Sequence, residues 1–140
     1  MPSFGERSRK NLETCHPLIQ DLLNECIKYF DFSVIEGHRT TAEQQKVFAE
    51  GKSTLDGVNK KSRHQTLPSE AVDVMPWPPE LHGKNIWDDM ERWCQFIGKV
   101  QGIALMMGIS IRVGLDWNND GSIKDHKFVD APHIELLYSE

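Results

Sequence analysis

The order of helical and extended patterns along this chain does not alternate strictly enough to build a doubly wound parallel sheet. Two helical stretches come first, then strand, helix, strand and helix, and two strands follow at the end. That order favours an α+β fold, a small mainly antiparallel sheet packed against helices. Leu12, Cys15, Ile19, Leu22, Leu23, Cys26, Ile27 and Phe30 recur at spacings of three and four, which predicts helix with one apolar face over 8–30. Pro17 interrupts the run and suits the first turn of a second helix. Residues 32–36 read as a short strand. Thr40 and Glu43 form a capping-box pattern, opening a helix that passes Val47 and Phe48 and stops near Gly51.

Residues 51–69 are polar and read as loop, and residues 71–75 as an apolar strand. Pro76, Pro78 and Pro79 deny regular structure to 76–83 and leave Trp77 exposed. Asn85 is the expected cap of a long helix over 86–107. Its stripe is Met90, Trp93, Cys94, Ile97, Val100, Ala104 and Met107, and Gly108 ends it. A strand over 109–113, a polar loop over 114–131 and a last strand over 133–137 complete the pattern.

The 140 residues fit a single domain, taken as one catalytic unit over 1–140. The net charge of −5, with Lys and Arg scattered, argues against nucleic acid as a partner. Cys15, Cys26 and Cys94 are odd in number, form no C-x-x-C pair, and read as reduced core residues. No apolar run is long enough to span a bilayer, and no secretory signal opens the chain. Synthesis in the cytosol without membrane insertion, and action as a monomer, are the expectations.

Three stretches carry candidate chemistry. In Ala71-Val72-Asp73-Val74 the valines should face the core and Asp73 the opposite side, and a carboxylate there is costly unless paired or ligating. His64 lies in the preceding polar loop. His133 opens the last strand, with Asp130 three residues before it, and Arg39 stands between a strand end and a capped helix. Taken singly, each has an ordinary alternative: an exposed strand Asp and a loop His, a sheet histidine with a turn Asp, a surface Arg. Taken together, two histidines and a carboxylate make a common catalytic zinc set, with a fourth position left for water. Asp130 and Arg39 fit, by type, a general base and a stabiliser of an oxyanion. No H-E-x-x-H helix is present.

The chain resembles the phage endolysins of the L-alanyl-D-glutamate endopeptidase type, relatives of bacterial zinc D-alanyl-D-alanine carboxypeptidases and of the hedgehog zinc domain. The resemblance is carried by E-G-x-R-T at Glu36–Thr40, S-x-H at Ser62–His64, A-x-D at Ala71–Asp73, G-x-D-W at Gly114–Trp117 and D-x-x-H-x-E-L at Asp130–Leu136. It implies that His64, Asp73 and His133 are zinc ligands on the sheet face, that Asp130 is the general base, and that Arg39 lies by the scissile carbonyl. It implies hydrolysis of a peptide bond in the peptidoglycan stem, at the wall, after holin-type release into the periplasm. The His64-to-Asp73 segment is longer than the usual family spacing and lacks its glycine. A D-alanyl-D-alanine carboxypeptidase, or a non-catalytic metal-containing wall-binding module, are the alternatives; Asp130 and Arg39 argue against the module.

Asp116, Asn118, Asp120 and Gly121 match the first half of a calcium loop, but position twelve is Lys127 instead of Glu. The stretch reads either as a regulatory calcium site or as an Asx-rich turn. Asp116 could also orient a ligand histidine, and His126 is a further candidate ligand or a solvated loop residue. Ser62 turns the loop or orients a ligand. Trp77, Trp87 and Trp117 flank the proposed site in sequence, Trp117 as a candidate groove wall, whereas Trp93 reads as core.

Overall fold

Local signals set the elements of the computed structural model, which describes residues 2–122 and 130–137. The helices are α1 (Glu6–Glu13), α2 (Pro17–Cys26), α3 (Thr41–Ala49) and α4 (Met90–Met107). The strands are β1 (Phe32–Glu36), β2 (Ala71–Pro76), β3 (Glu80–Leu81), β4 (Lys84–Asn85), β5 (Ile111–Val113) and β6 (His133–Leu136). Pro17 starts α2, as its spacing predicts, because a first helical turn has no use for the missing N–H. Thr40 and Glu43 close a reciprocal capping box on α3. Gly108, in the left-handed region at φ 72°, ends α4.

β1, β2, β6 and β5 form one antiparallel sheet in that order, confirming the α+β expectation. Val72, Val74, Val113, Ile134 and Leu136 are buried, each worth roughly 1.5–3 kcal/mol over exposure. They join the apolar faces of α1, α2 and α4 in one core. Phe4, Phe30, Phe32 and Phe96 fill one end, with neighbouring ring centroids 5.2–5.8 Å apart.

The opposite face of the sheet carries the polar residues in register. Glu36 of β1 pairs with Asp73 of β2, which pairs with His133 of β6. One step along, Ala71 pairs with Glu135, and Glu135 with Arg112 of β5. A bulge between Val34 and Glu36 turns Glu36 onto this face.

Three expectations change. Asn85 caps only a 3-10 turn over Ile86–Asp88, and α4 begins four residues later with its own cap, Asp89, whose side chain accepts the Arg92 N–H. Residues 76–83 are not wholly irregular. β3 and β4 form a short hairpin, its turn made by His82 and Gly83, both at positive φ. Cys94 is exposed, while Cys15 and Cys26 are core thiols. The α4 stripe runs through Trp93, Phe96, Ile97, Val100 and Ala104, and Cys94 points away from it. Met90 and Met107, at the ends of the stripe, are partly exposed.

Candidate metal and catalytic centre

The three residues His64, Asp73 and His133 offer one ligand atom each, and these atoms lie within 4.8 Å of one another. Asp73 comes from a central strand and His133 from its cross-strand neighbour, so the sheet register alone sets that pair. His64 comes from a 3-10 turn, Arg63–Gln65. Ser62 caps this turn by accepting the His64 N–H at 3.2 Å, and the Gln65 side chain accepts the Ser62 N–H in return. Ser62 thus makes the turn that carries His64.

Each imidazole is held at its outer nitrogen. His64 Nδ1–H donates to the Gly37 carbonyl at 2.7 Å, leaving Nε2 3.2 Å from Asp73 Oδ1. His133 Nε2–H donates to Glu135 Oε1 at 2.8 Å, leaving Nδ1 3.5 Å from Asp73 Oδ1. Fixing the far nitrogen in this way is what orients histidines for a metal. Gly37 has no freedom to become larger: a Cβ there would run into Thr14 Oγ1 and the Asn11 carbonyl. The end of α1 therefore packs directly against Gly37, the residue whose carbonyl holds His64.

Burial pushes the Asp73 carboxyl up, but the flanking His64 and His133 outweigh it and hold Asp73 well below the usual carboxylate range. Burial disfavours the His133 imidazolium, yet the bonds to Asp73 and Glu135 and the charges of Asp73 and Asp130 push it up to about 9. Asp130 faces the same centre, 4.0 Å from His133 Nδ1. Burial and the Asp73 charge push its carboxyl up to about 6, against the pull of His133, His64 and Arg39. Two neighbouring carboxylates in one site are thus shifted in opposite directions, Asp73 down and Asp130 up. The donor set, two imidazole nitrogens and one carboxylate oxygen with both outer nitrogens anchored, fits a divalent zinc-type cation.

Arg39 is almost fully buried beside the centre, its Nη2 3.6 Å from Asp73 Oδ2. Glu36 accepts from Nε and Nη2 at 3.0 and 2.6 Å, and Gln44 accepts from Nη1 at 2.6 Å. Gln44 is itself wholly buried and donates to Ser53 Oγ and the Leu55 carbonyl, tying the loop after α3 to the guanidinium. All five expected site residues line one cleft of about 1150 Å³. Trp87 and Trp117 line it too, Trp117 with its ring centroid 5.2 Å from that of His133, whereas Trp77 is exposed elsewhere.

Asp116, Asn118 and Asp120 form a self-bonded loop. The Asp116 carboxylate accepts the N–H groups of Asp120 and Gly121, Asp120 accepts that of Ser122, and Asn118 donates to Asp120. These bonds build the Asx-rich turn, one of the two expectations for this stretch. His126 and Lys127 lie outside the described residues.

Glu36, Gln44 and Glu135 reach the site although the sequence reading gives them no role. Glu135 has a readable signal: in a strand, residues two apart share a face, so Glu135 has to lie beside His133. Gln44 has none, because its partners come together only through the folded loop.

The sequence model of the phage L-alanyl-D-glutamate peptidase family matches residues 2–137. The chain is 31% identical over 139 residues to the L-alanyl-D-glutamate peptidase of Escherichia phage T5, spanning 96% of this chain and 97% of that protein. It is also similar to the crystal structure of the Serratia marcescens L-Ala D-Glu endopeptidase ChiX, with a TM-score of 0.70 and 28% identity over 96% of this chain and 90% of the other.

Proposed function

The chain belongs to the phage L-alanyl-D-glutamate peptidase family, and from that premise we propose that His64, Asp73 and His133 hold a catalytic zinc ion, with Asp130 as general base and Arg39 beside the scissile carbonyl. The protein is an endolysin-type endopeptidase acting on peptidoglycan. The observation that carries the metal reading is the triad itself: three ligand atoms within 4.8 Å, with both histidines anchored from behind.

Bound there, zinc would supply Lewis acidity to the scissile carbonyl and to the attacking water. Asp130 takes the proton of that water and hands it to the leaving amine. Burial and the neighbouring Asp73 charge make the Asp130 carboxylate a stronger base than an ordinary aspartate, as this task requires. Arg39 brings a fixed positive charge to the side where the carbonyl oxygen gains negative charge. Its clamp by Glu36 and Gln44 means that this charge is in place before the reaction starts. The stem peptide lies in the cleft, with Trp87 and Trp117 as its aromatic walls.

None of the described helices is long and apolar enough to cross a membrane. In this proposal the enzyme works as a single-domain monomer in the periplasm, reached after holin-type release.

The test combines metal analysis with cleavage. Purified protein is expected to carry about one zinc ion per chain, as a set of three protein ligands implies. It should release new amino termini from isolated peptidoglycan only with metal present, each new terminus being glutamate. No bound metal, and no release after zinc is added, would withdraw the roles of His64, Asp73 and His133. Gly114 offers a second check. A Cβ at Gly114 would collide with the Asp130 carbonyl, and Gly114 makes backbone hydrogen bonds with both Asp130 and His133. Gly114→Ala is expected to lower kcat about 10²-fold by displacing the base, with zinc content unchanged.

A further inference from the structure

We propose that Glu135 is a positioning residue for the metal site: it fixes which nitrogen of His133 faces the metal and locks the turn carrying His64 to the strand carrying His133. This rests on the metal-site reading above.

Glu135 is only 4% exposed, and a carboxylate so buried is costly unless its oxygens are satisfied. They are satisfied on two sides. Oε1 accepts the His133 Nε2–H at 2.8 Å. Oε2 accepts from Arg112 Nη2 at 2.9 Å and lies 3.5 Å from Arg63 Nε. A charged acceptor behind an imidazole fixes its tautomer and ring orientation and raises its basicity as a ligand. With Nε2 engaged, the nitrogen left for a metal is Nδ1, the one turned to Asp73.

Arg63 gives the arrangement its second purpose. It directly precedes His64 in the 3-10 turn. Its Nη1 donates to the Leu136 carbonyl at 3.0 Å and pairs with Glu70 at 3.3 Å. The turn bearing one ligand is therefore fastened to β6, which bears another, through Arg63 and Glu135. His64 itself rests on a neutral carbonyl, that of Gly37. The two histidines thus have different supports, and loss of Glu135 should be felt at His133 first.

The competing explanation is that Glu135 merely neutralises Arg63 and Arg112. Its removal would then cost stability but leave the zinc affinity of folded molecules unchanged. The full chain is used, with affinity measured by competition against a chromogenic chelator. The His133 imidazole is followed by nitrogen NMR in the zinc-loaded protein. Glu135→Ala is expected to weaken zinc binding about 10–100-fold and to expose the Nε2–H to rapid solvent exchange. Glu135→Gln keeps an oxygen acceptor in place and should restore most of the affinity and the protected N–H. Should Glu135→Ala fail to fold, Arg63→Met serves: its side chain is 37% exposed, and it should weaken zinc binding by a smaller factor. Folded variants that bind zinc as tightly as the wild type, with the N–H still protected, would overturn the proposal. A wild-type chain that takes up no zinc would instead sink the metal-site reading, and this inference with it.

Discussion

Asp73→Asn is expected to empty the metal site and to lower kcat/KM by about 10³-fold or more. Asp73 is the carboxylate of the triad, and it lies between the two imidazoles, 3.2 Å from His64 Nε2 and 3.5 Å from His133 Nδ1. An amide oxygen in its place is neutral and a poorer ligand for a divalent cation. Lewis-acid stabilisation by a metal is worth several kcal/mol, and about 4 kcal/mol corresponds to about 10³ in rate. The backbone should not suffer, because β2 is held by its register with β1 and β6 and by Val72 and Val74 in the core. Elemental analysis and peptidoglycan cleavage, with circular dichroism as a folding control, provide the check. A folded variant with a full complement of zinc and nearly normal turnover would remove Asp73 from the ligand set.

Asp130→Asn is expected to reduce kcat about 10²–10⁴-fold, the usual contribution of a positioned general base, while zinc content stays at the wild-type level. This separation is what distinguishes a base from a ligand. The pH profile gives a second reading. A base works only when deprotonated, so wild-type activity must fall as pH falls through the pKa of Asp130. Burial and the Asp73 charge push that value up to about 6, and a bound divalent cation draws it back down. The acid limb of kcat/KM should thus lie at or below about pH 6 and vanish in the variant. An Asp130→Asn enzyme with the same acid limb and a near-normal rate would assign the base elsewhere.

Much of this centre is legible from local pattern. Apolar neighbours in Ala71–Val74 tell which way Asp73 points, and Thr40 with Glu43 tells where the helix after Arg39 begins. Both signals act within a few residues, where the chain has little choice. What stays hidden depends on partners far apart in sequence. The Gly37 carbonyl meets His64 across 27 positions, and Arg63 meets Leu136 across 73. Gln44 reads as one polar residue of a helix, and only the folded loop turns it into the support of Arg39. The start of α4 escapes the pattern for a different reason: Asn85 and Asp89 are both competent caps, and pattern alone does not choose between two successive turns. Cys94 fits the spacing of a buried stripe, but a stripe wide enough for Trp93 and Phe96 leaves its neighbour facing water.

β6 is the last of the described strands in chain order, yet it lies between β2 and β5. Until it arrives, β5 has no neighbour in the sheet and Asp73 faces a gap where His133 belongs. A ribosome that has not passed residue 136 has therefore produced a chain with an incomplete metal site and an unzipped sheet. Because β6 both seats β5 and supplies His133, chains truncated before this strand are expected to cleave no peptidoglycan.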